Sequence, residues 1–216
     1  TVTLFLPYAG PQGFDNLDTD EQIMDFFREK FTDAVPHMPQ LIQDYHDNPT
    51  APLGTIKCYP WQAHGRSLLM GDSAHAIVPF YGQGMNAAFE DVYVLDGFIE
   101  ELGDDWADIF QSYQQHRKPD TDAIADLAKD NFFEMRDHVD DPDFIKKRKL
   151  ETALEQTYPD YFSKYSMVTF NEDMRYSEAM RCGRAQDEWL LGKVRNAEEL
   201  ELDQVYEEVK AFNESL

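Results

Sequence analysis

Positive charge is scarce in this sequence: 19 Lys and Arg face 42 Asp and Glu among 216 residues, a formal net charge of −23. Such a field repels phosphate backbones and anionic membrane surfaces, so nucleic acid is excluded as a partner unless a local basic patch exists. The one basic run, Lys146-Lys147-Arg148-Lys149, is too short to make one. Cysteine is scarcer still. Cys58 and Cys182 form no C-x-x-C spacing, which excludes a disulfide framework and fits a reducing compartment, so a cytoplasmic protein is expected. The histidines, at 37, 46, 64, 75, 116 and 138, show no H-E-x-x-H or Cys/His ligand spacing, so no metal site is expected. G-x-S-x-G is missing, and with it an esterase-like nucleophile. No stretch approaches about 20 apolar residues, so no membrane span is expected. The opening Thr1-Val2-Thr3-Leu4-Phe5-Leu6-Pro7 has neither Met nor a basic segment, so no signal peptide is expected and the chain reads as starting mid-strand, truncated.

What remains is a composition able to fold. Hydrophobic residues make up 42% and aromatics 13%, enough burial to offset the entropy of ordering. Alternation of Val2, Leu4 and Leu6 predicts a strand. Asp18-Thr19-Asp20-Glu21 ahead of Ile23, Phe26, Phe27 and Phe31 predicts an N-capped helix. A Pro-rich connection follows, and Ser67-Leu68-Leu69-Met70, bounded by Gly65 and Gly71, predicts a strand buried on both faces. Met85, Ala88, Val92, Leu95, Ile99 and Leu102 step by three and four, predicting a helix with one apolar stripe and Glu90, Asp91, Glu100 and Glu101 outside it. Pro119 separates two further predicted helices: Trp106 to His116, with Trp106, Ile109, Phe110 and Tyr113 inward, and Asp120 to about Val139. Helical patterns resume from Asp141 and from Arg175. The tail, with Glu198, Glu199, Glu201, Asp203, Glu207, Glu208 and Glu214 against Lys210, reads as a solvated acidic helix.

Two constellations carry chemistry. Asp72 follows the predicted strand end, where open α/β sheets place ligands, and its carboxylate can accept hydrogen bonds from sugar or polyol hydroxyls. Gly82 and Gly84 precede a helix whose first amides lack intrahelical partners and attract an anion or an electron-rich carbonyl. Singly, these residues also suit an ordinary turn and loop. Gly82-Gln83-Gly84-Met85-Asn86-Ala87 fits G-x-G-x-x-A, but the dinucleotide fingerprint needs a strand directly before it, and Pro79 interrupts that approach. In the second constellation, Ile124, Ala128, Asn131, Met135 and His138 or Val139 share a helix face, so Asn131 breaks an apolar stripe with an amide that needs a partner. Neighbouring backbone or a ligand can supply it. Glu134 and Arg136 read as ordinary helix charges, and His75 as a structural hydrogen-bond donor near Asp72.

Taken together, the run from Gly71 through Asp91 (GDSAHAIVPFYGQGMNAAFED) resembles the second flavin motif of the class A flavoprotein aromatic hydroxylases. Downstream, Ala123-Ile124-Ala125-Asp126-Leu127, Asn131-Phe132-Phe133-Glu134-Met135-Arg136 and Tyr165-Ser166-Met167-Val168-Thr169-Phe170 resemble the branch of that family that hydroxylates L-kynurenine, and the likeness extends from about Thr1 to about Leu191. The resemblance implies an α/β fold: part of a p-hydroxybenzoate-hydroxylase-like flavin fold, sheet remnants plus the second flavin motif, then a mainly α-helical carboxyl-terminal region. Residues 1–64 would end the substrate-binding sheet region, 65–130 would form the carboxyl part of the FAD-binding domain, and 131–216 would cover the substrate pocket. Asp72 would bind the flavin ribityl chain, and the backbone at Gly84, Met85 and Asn86 would face the pyrimidine carbonyl of the flavin ring. Asn131 and Tyr165 would hold the amino-acid end of L-kynurenine, with Pro79, Phe80, Gln83, Glu134 and Met135 as pocket walls and Tyr81 at a variable position.

The implied chemistry is reduction of FAD by NADPH, capture of molecular oxygen as a flavin hydroperoxide, and hydroxyl transfer to the aniline ring. The flavin performs it, so no catalytic side chain is expected. The family's G-x-G-x-x-G turn for the ADP half of FAD, and its Arg and Tyr for the substrate carboxylate, do not occur here. The chain is therefore expected to be the carboxyl half of such an enzyme, to need the missing amino-terminal half, and to hold FAD weakly alone. Its acidic tail resembles the soluble bacterial type. A hydroxylase of another aromatic substrate, or an inactive remnant or binding module, are the alternatives.

Overall fold

The computed structural model describes residues 2–137, 140–196 and 200–216, and the chain divides into two units, Thr1–Leu53 and Gly54–Leu216. In the first, the Thr19 hydroxyl accepts from the Gln22 amide while the Gln22 side-chain carbonyl accepts from the Thr19 amide at 3.0 Å, a capping box that starts α1 (Asp20–Lys30). Ile23 and Phe27 bury one face of α1 with Leu17 and Leu41, the last opening α2 (Leu41–Asp47). The strand expected at Thr1–Leu6 does not form across residues 2–6; Thr1 lies outside the described residues. Leu4 and Leu6 pack on the same cluster, but alternation only defines a face, and a strand also needs a hydrogen-bonded neighbour.

The second unit holds one small sheet among the described residues. Its strands β1 (Gln62–Ala63) and β2 (Ser67–Leu68) pair antiparallel. The predicted buried strand is thus a short hairpin arm. Leu68 and Met70 pack toward Trp61, Ala74 and Tyr113, while Leu69, one step out of phase, is 43% exposed, so one face is covered rather than two. The short α3 (Asp72–His75) and a 3-10 turn at Pro79–Tyr81 lead into α4 (Gly84–Leu102).

The packed face of α4 differs from the expected stripe. Ala87 and Asp91 are buried with Val94, Leu95 and Phe98 beside them, whereas Met85 is 68% and Val92 58% exposed. Helical spacing located the helix; the buried carboxylate of Asp91 set its rotation. The helix α5 (Trp106–Asp137) runs straight through Pro119, a correction to the two predicted helices. Pro119 is exposed, so its missing hydrogen bond falls on the wet side, and buried residues on both sides of it, Tyr113 and Arg117 before, Ile124 and Leu127 after, hold one continuous element. Arg175 also donates to the His116 carbonyl at 2.7 Å, close to that weak point. Trp106, expected inward, is 47% exposed.

Four helices complete the unit. These are α6 (Pro142–Thr157), α7 (Lys164–Thr169), α8 (Tyr176–Asn196) and α9 (Leu202–Glu214). Asp141 caps α6 and Ser163 caps α7 through side-chain oxygens. α8 packs against α5, α6, α7 and α9. The acidic tail helix α9 is amphipathic, burying Val205 and Val209 against Leu154 and Leu190; Glu198 and Glu199 lie outside the described residues. Among the described residues no helix is long and apolar enough to cross a membrane.

Candidate functional site

A buried ionic knot ties the 71–91 segment together. Asp91, fully buried, accepts from the Gly71 amide at 3.0 Å, from the Arg117 Nε at 2.9 Å, and pairs with His75 Nε2 at 2.6 Å. Arg117, equally buried, also donates to the Ala87 carbonyl at 3.2 Å and lies 2.7 Å from Glu90. Burial alone pushes the Asp91 carboxyl up, but the His75 and Arg117 hydrogen bonds outweigh it and hold the group below the usual aspartate range. His75 is therefore structural, as expected from the sequence. Gly71 takes φ +56, a backbone state that favours glycine. Its amide bond to Asp91 sets the turn that carries Asp72 against α4, leaving Asp72 exposed.

The start of α4 is open. Its N-cap residue, Gln83, makes no side-chain capping bond, so the first amides of the helix point outward without one. Gly82, left-handed at φ +69, closes the preceding turn, and a Cβ there would meet nothing within 4 Å. No strand leads into Gly82; the 3-10 turn does, which removes the context of the dinucleotide fingerprint. Met85 and Asn86 are exposed, and Asn86 donates to the Gln83 side chain at 2.8 Å. An exposed carboxylate and an uncapped helix start, joined through Asp91 to one rigid segment, fit a ligand carrying both hydroxyls and a polarised carbonyl.

Beside this segment lies a cavity of about 560 Å³ whose lining includes Tyr81, Asn131, Glu134, Met135 and Tyr165. Four of the predicted substrate residues therefore meet at one cavity. Phe80 and Gln83, expected as pocket walls, are not among the lining residues: Asn131 Nδ2 donates to the Phe80 carbonyl at 2.6 Å, tying the cavity to the turn before α4, while the Gln83 side chain accepts from Tyr176 at 3.3 Å. The lone amide of the apolar stripe thus has a backbone partner, and its Oδ1 accepts no bond among the described residues. His138 and Val139, expected on the same face, lie outside the described residues. Phe80 packs on Phe132 with ring centres 4.8 Å apart. Pro79, exposed, opens the turn rather than lining the cavity.

The same cavity gathers residues that the sequence did not reveal. Tyr81 stacks on Tyr165 at 5.4 Å, and burial, with Glu134 and Asp187 near, pushes its phenol up. Lys147, Arg148 and Lys149, from the basic run too short for a nucleic-acid patch, face it from α6, with Lys164 from α7 and Asp187 from α8. Lys147 reaches Asp187 at 2.7 Å, and Lys164 pairs with Asp187 at 2.5 Å and with Glu134. Glu134 is thus a cavity group rather than an ordinary helix charge. Arg136 does fit that description, bonded to Asp137 at 2.6 Å. A lysine between Ser163 and Tyr165 at a helix start was the available signal for Lys164; nothing local marked Asp187. Among the described residues no three His, Cys, Asp or Glu side chains gather to hold a metal, and both cysteines are free thiols.

Beside the open helix start and its exposed carboxylate lies a partly open, partly aromatic cavity, and residues 31–128 match the family model described as an FAD binding domain. Over most of its length the chain is similar to kynurenine 3-monooxygenases. It is 45% identical over 188 residues to the kynurenine 3-monooxygenase of Flavobacterium johnsoniae, covering 87% of this chain and 42% of that protein. It is 42% identical over 218 residues to that of Dictyostelium discoideum, covering 95% and 47%, and 41% identical over 211 residues to that of Flavobacterium psychrophilum, covering 97% and 47%. The chain spans less than half the length of these relatives.

Proposed function

We propose that this chain is a portion of an NADPH- and FAD-dependent enzyme that hydroxylates L-kynurenine to 3-hydroxykynurenine, working with the remaining length that its relatives carry. The observation that supports this reading best is the meeting of Asn131, Glu134, Met135 and Tyr165 at one cavity, tied by the Asn131 bond to the Phe80 carbonyl to the turn that leads into the uncapped start of α4. We read the fold as part of a p-hydroxybenzoate-hydroxylase-like architecture, with 65–130 completing the FAD-binding domain and 131–216 covering the substrate, and the free thiols as those of a cytoplasmic protein.

FAD, when bound, supplies electron transfer from NADPH and activation of oxygen. The chain's residues bind and orient. Asp72 holds ribityl hydroxyls, and the amides of Gly84, Met85 and Asn86, at the positive end of α4, favour negative charge on the facing carbonyl. Asn131 and Tyr165 fix the amino-acid end of the substrate, while Phe80 and Met135 keep water from the ring.

Three measurements test this. L-kynurenine should stimulate NADPH oxidation by the complete enzyme and yield 3-hydroxykynurenine; stimulation by a different aromatic compound alone would reassign the substrate. Asn131→Ala should weaken L-kynurenine binding by about 1–3 kcal/mol, the effect of leaving a polar ligand group unpaired, and an unchanged Michaelis constant would remove Asn131 from the site. Asp72→Ala should lower the flavin retained through dialysis, read from the visible absorption; full occupancy would contradict its role.

A further inference from the structure

Lys164 stands where four elements meet. Its side chain is 9% exposed, and its ammonium joins Asp187 of α8 at 2.5 Å to Glu134 of α5. Its carbonyl accepts from the Tyr81 hydroxyl at 3.4 Å, and Tyr81 stacks on the next residue, Tyr165. The fit is tight. A Cβ at Gly183 of α8 would lie 2.7 Å from Lys164 Cγ and 3.1 Å from its Cα, so glycine is what lets α7 lie against α8 there. Burial disfavours the ammonium, but Asp187 and Glu134 outweigh that and keep it charged.

From this geometry we propose that Lys164 is a positioning residue of the cavity, clamping Glu134 and the first turn of α7 so that the Glu134 carboxylate and the Tyr165 ring stand fixed beside Asn131. The use of that fixed wall for L-kynurenine rests on the function proposed above. A charge pair this well buried has a narrow range of geometries, because displacing either partner strands the other in a poor solvent. Exposed Tyr165 has no comparable anchor of its own; its place is set by the Lys164 backbone, the Tyr81 stack and the Phe170 ring 6.3 Å away.

The test uses the full chain with 3-fluorotyrosine at every tyrosine, the Tyr165 and Tyr158 fluorine signals being assigned by Tyr→Phe substitution. Tyr158 is the internal control, stacked on Tyr206 away from the cavity at 3.8 Å. Lys164→Met should shift or broaden the Tyr165 signal and leave Tyr158 unmoved, and Lys164→Arg should restore it. Gly183→Ala, which keeps every charge but crowds Lys164, should perturb Tyr165 in the same direction. An unaltered Tyr165 signal in both Lys164→Met and Gly183→Ala, or joint movement of Tyr158 and Tyr165, overturns the proposal. On the ligand side, Lys164→Met should weaken L-kynurenine binding about tenfold, with little further loss when combined with Glu134→Gln. Additive losses would show that Lys164 does not act through Glu134. Ligand binding is measured on the complete enzyme; if that enzyme fails to bind L-kynurenine while the fluorine response of the chain is as expected, the substrate reading is refuted and the positioning role stands.

Discussion

Replacing Arg117 with Met is expected to lower the unfolding free energy by about 3–5 kcal/mol, the range for stranding a buried ionic partner. The stranded group is Asp91, which keeps its bonds to Gly71 and His75 but loses the guanidinium at 2.9 Å, while the Ala87 carbonyl loses the donor it has beyond its own helix. Urea denaturation measures this directly, and a loss under about 1 kcal/mol would mean that the knot has far looser coupling than its burial implies. Lys at this position should recover part of the loss, since an ammonium restores charge without the three-way fork that reaches Asp91, Ala87 and Glu90. Because the folded carboxyl of Asp91 sits below its ordinary value of 3.8, its contribution is present above that value and lost as pH falls through the lowered one. Acid should therefore loosen the turn that carries Asp72 by the same route as the Arg117 substitution.

The opposite pH dependence is expected from Glu151. It is 2% exposed beside the cavity, 3.4 Å from Lys147, with its Oε1 making no hydrogen bond and Arg148 reaching Oε2 at 3.1 Å. Burial, only partly offset by Lys147, and the nearby charge of Asp187 push its carboxyl up from 4.5 to about 7. Glu151 also acts on the buried Tyr161 phenol, helping to push it up. A raised carboxyl favours folding while it is neutral. Its contribution is complete below 4.5 and is lost as pH rises through about 7. The stability lost over that interval is on the order of 2–3 kcal/mol. Glu151→Gln should abolish this decline, so that urea midpoints measured at about pH 5 and about pH 8 draw together relative to wild type. An identical slope in both proteins would show that Glu151 is ionised at little cost in the folded state.

Much of the candidate site was legible before any coordinates, for reasons visible in individual residues. Glycines that need left-handed backbone, Gly71 and Gly82, mark turns in sequence because other side chains resist that conformation. The start of α4 was foreshadowed by Gly82 and Gly84 just before a helically spaced run, while the missing cap at Gln83 is seen only in the structure. Asn131 announced itself as an amide on an apolar face. The errors have equally local causes. Pro119 was taken to end a helix because local rules treat proline by its lost hydrogen bond, whereas solvent on its side and buried neighbours on the other let α5 continue. Asp91 reads as lying outside the packed stripe because a carboxylate is normally left in water, and the joint arrival of His75, Arg117 and the Gly71 amide reverses that preference.

Composition, spacing and residue type were enough to predict a folded acidic chain, the turns of the 71–91 segment and the helix that follows it, because each depends on interactions within a few positions along the backbone, whereas the flavin and aromatic-amine roles rested on the family resemblance. Tertiary structure alone decided the depth of the His75–Asp91–Arg117 knot, the conversion of a basic run into a cavity wall, and the Glu134–Lys164–Asp187–Lys147 ion pairs. Charges are stable in such places only when partners from distant segments arrive together, and no local pattern encodes that meeting.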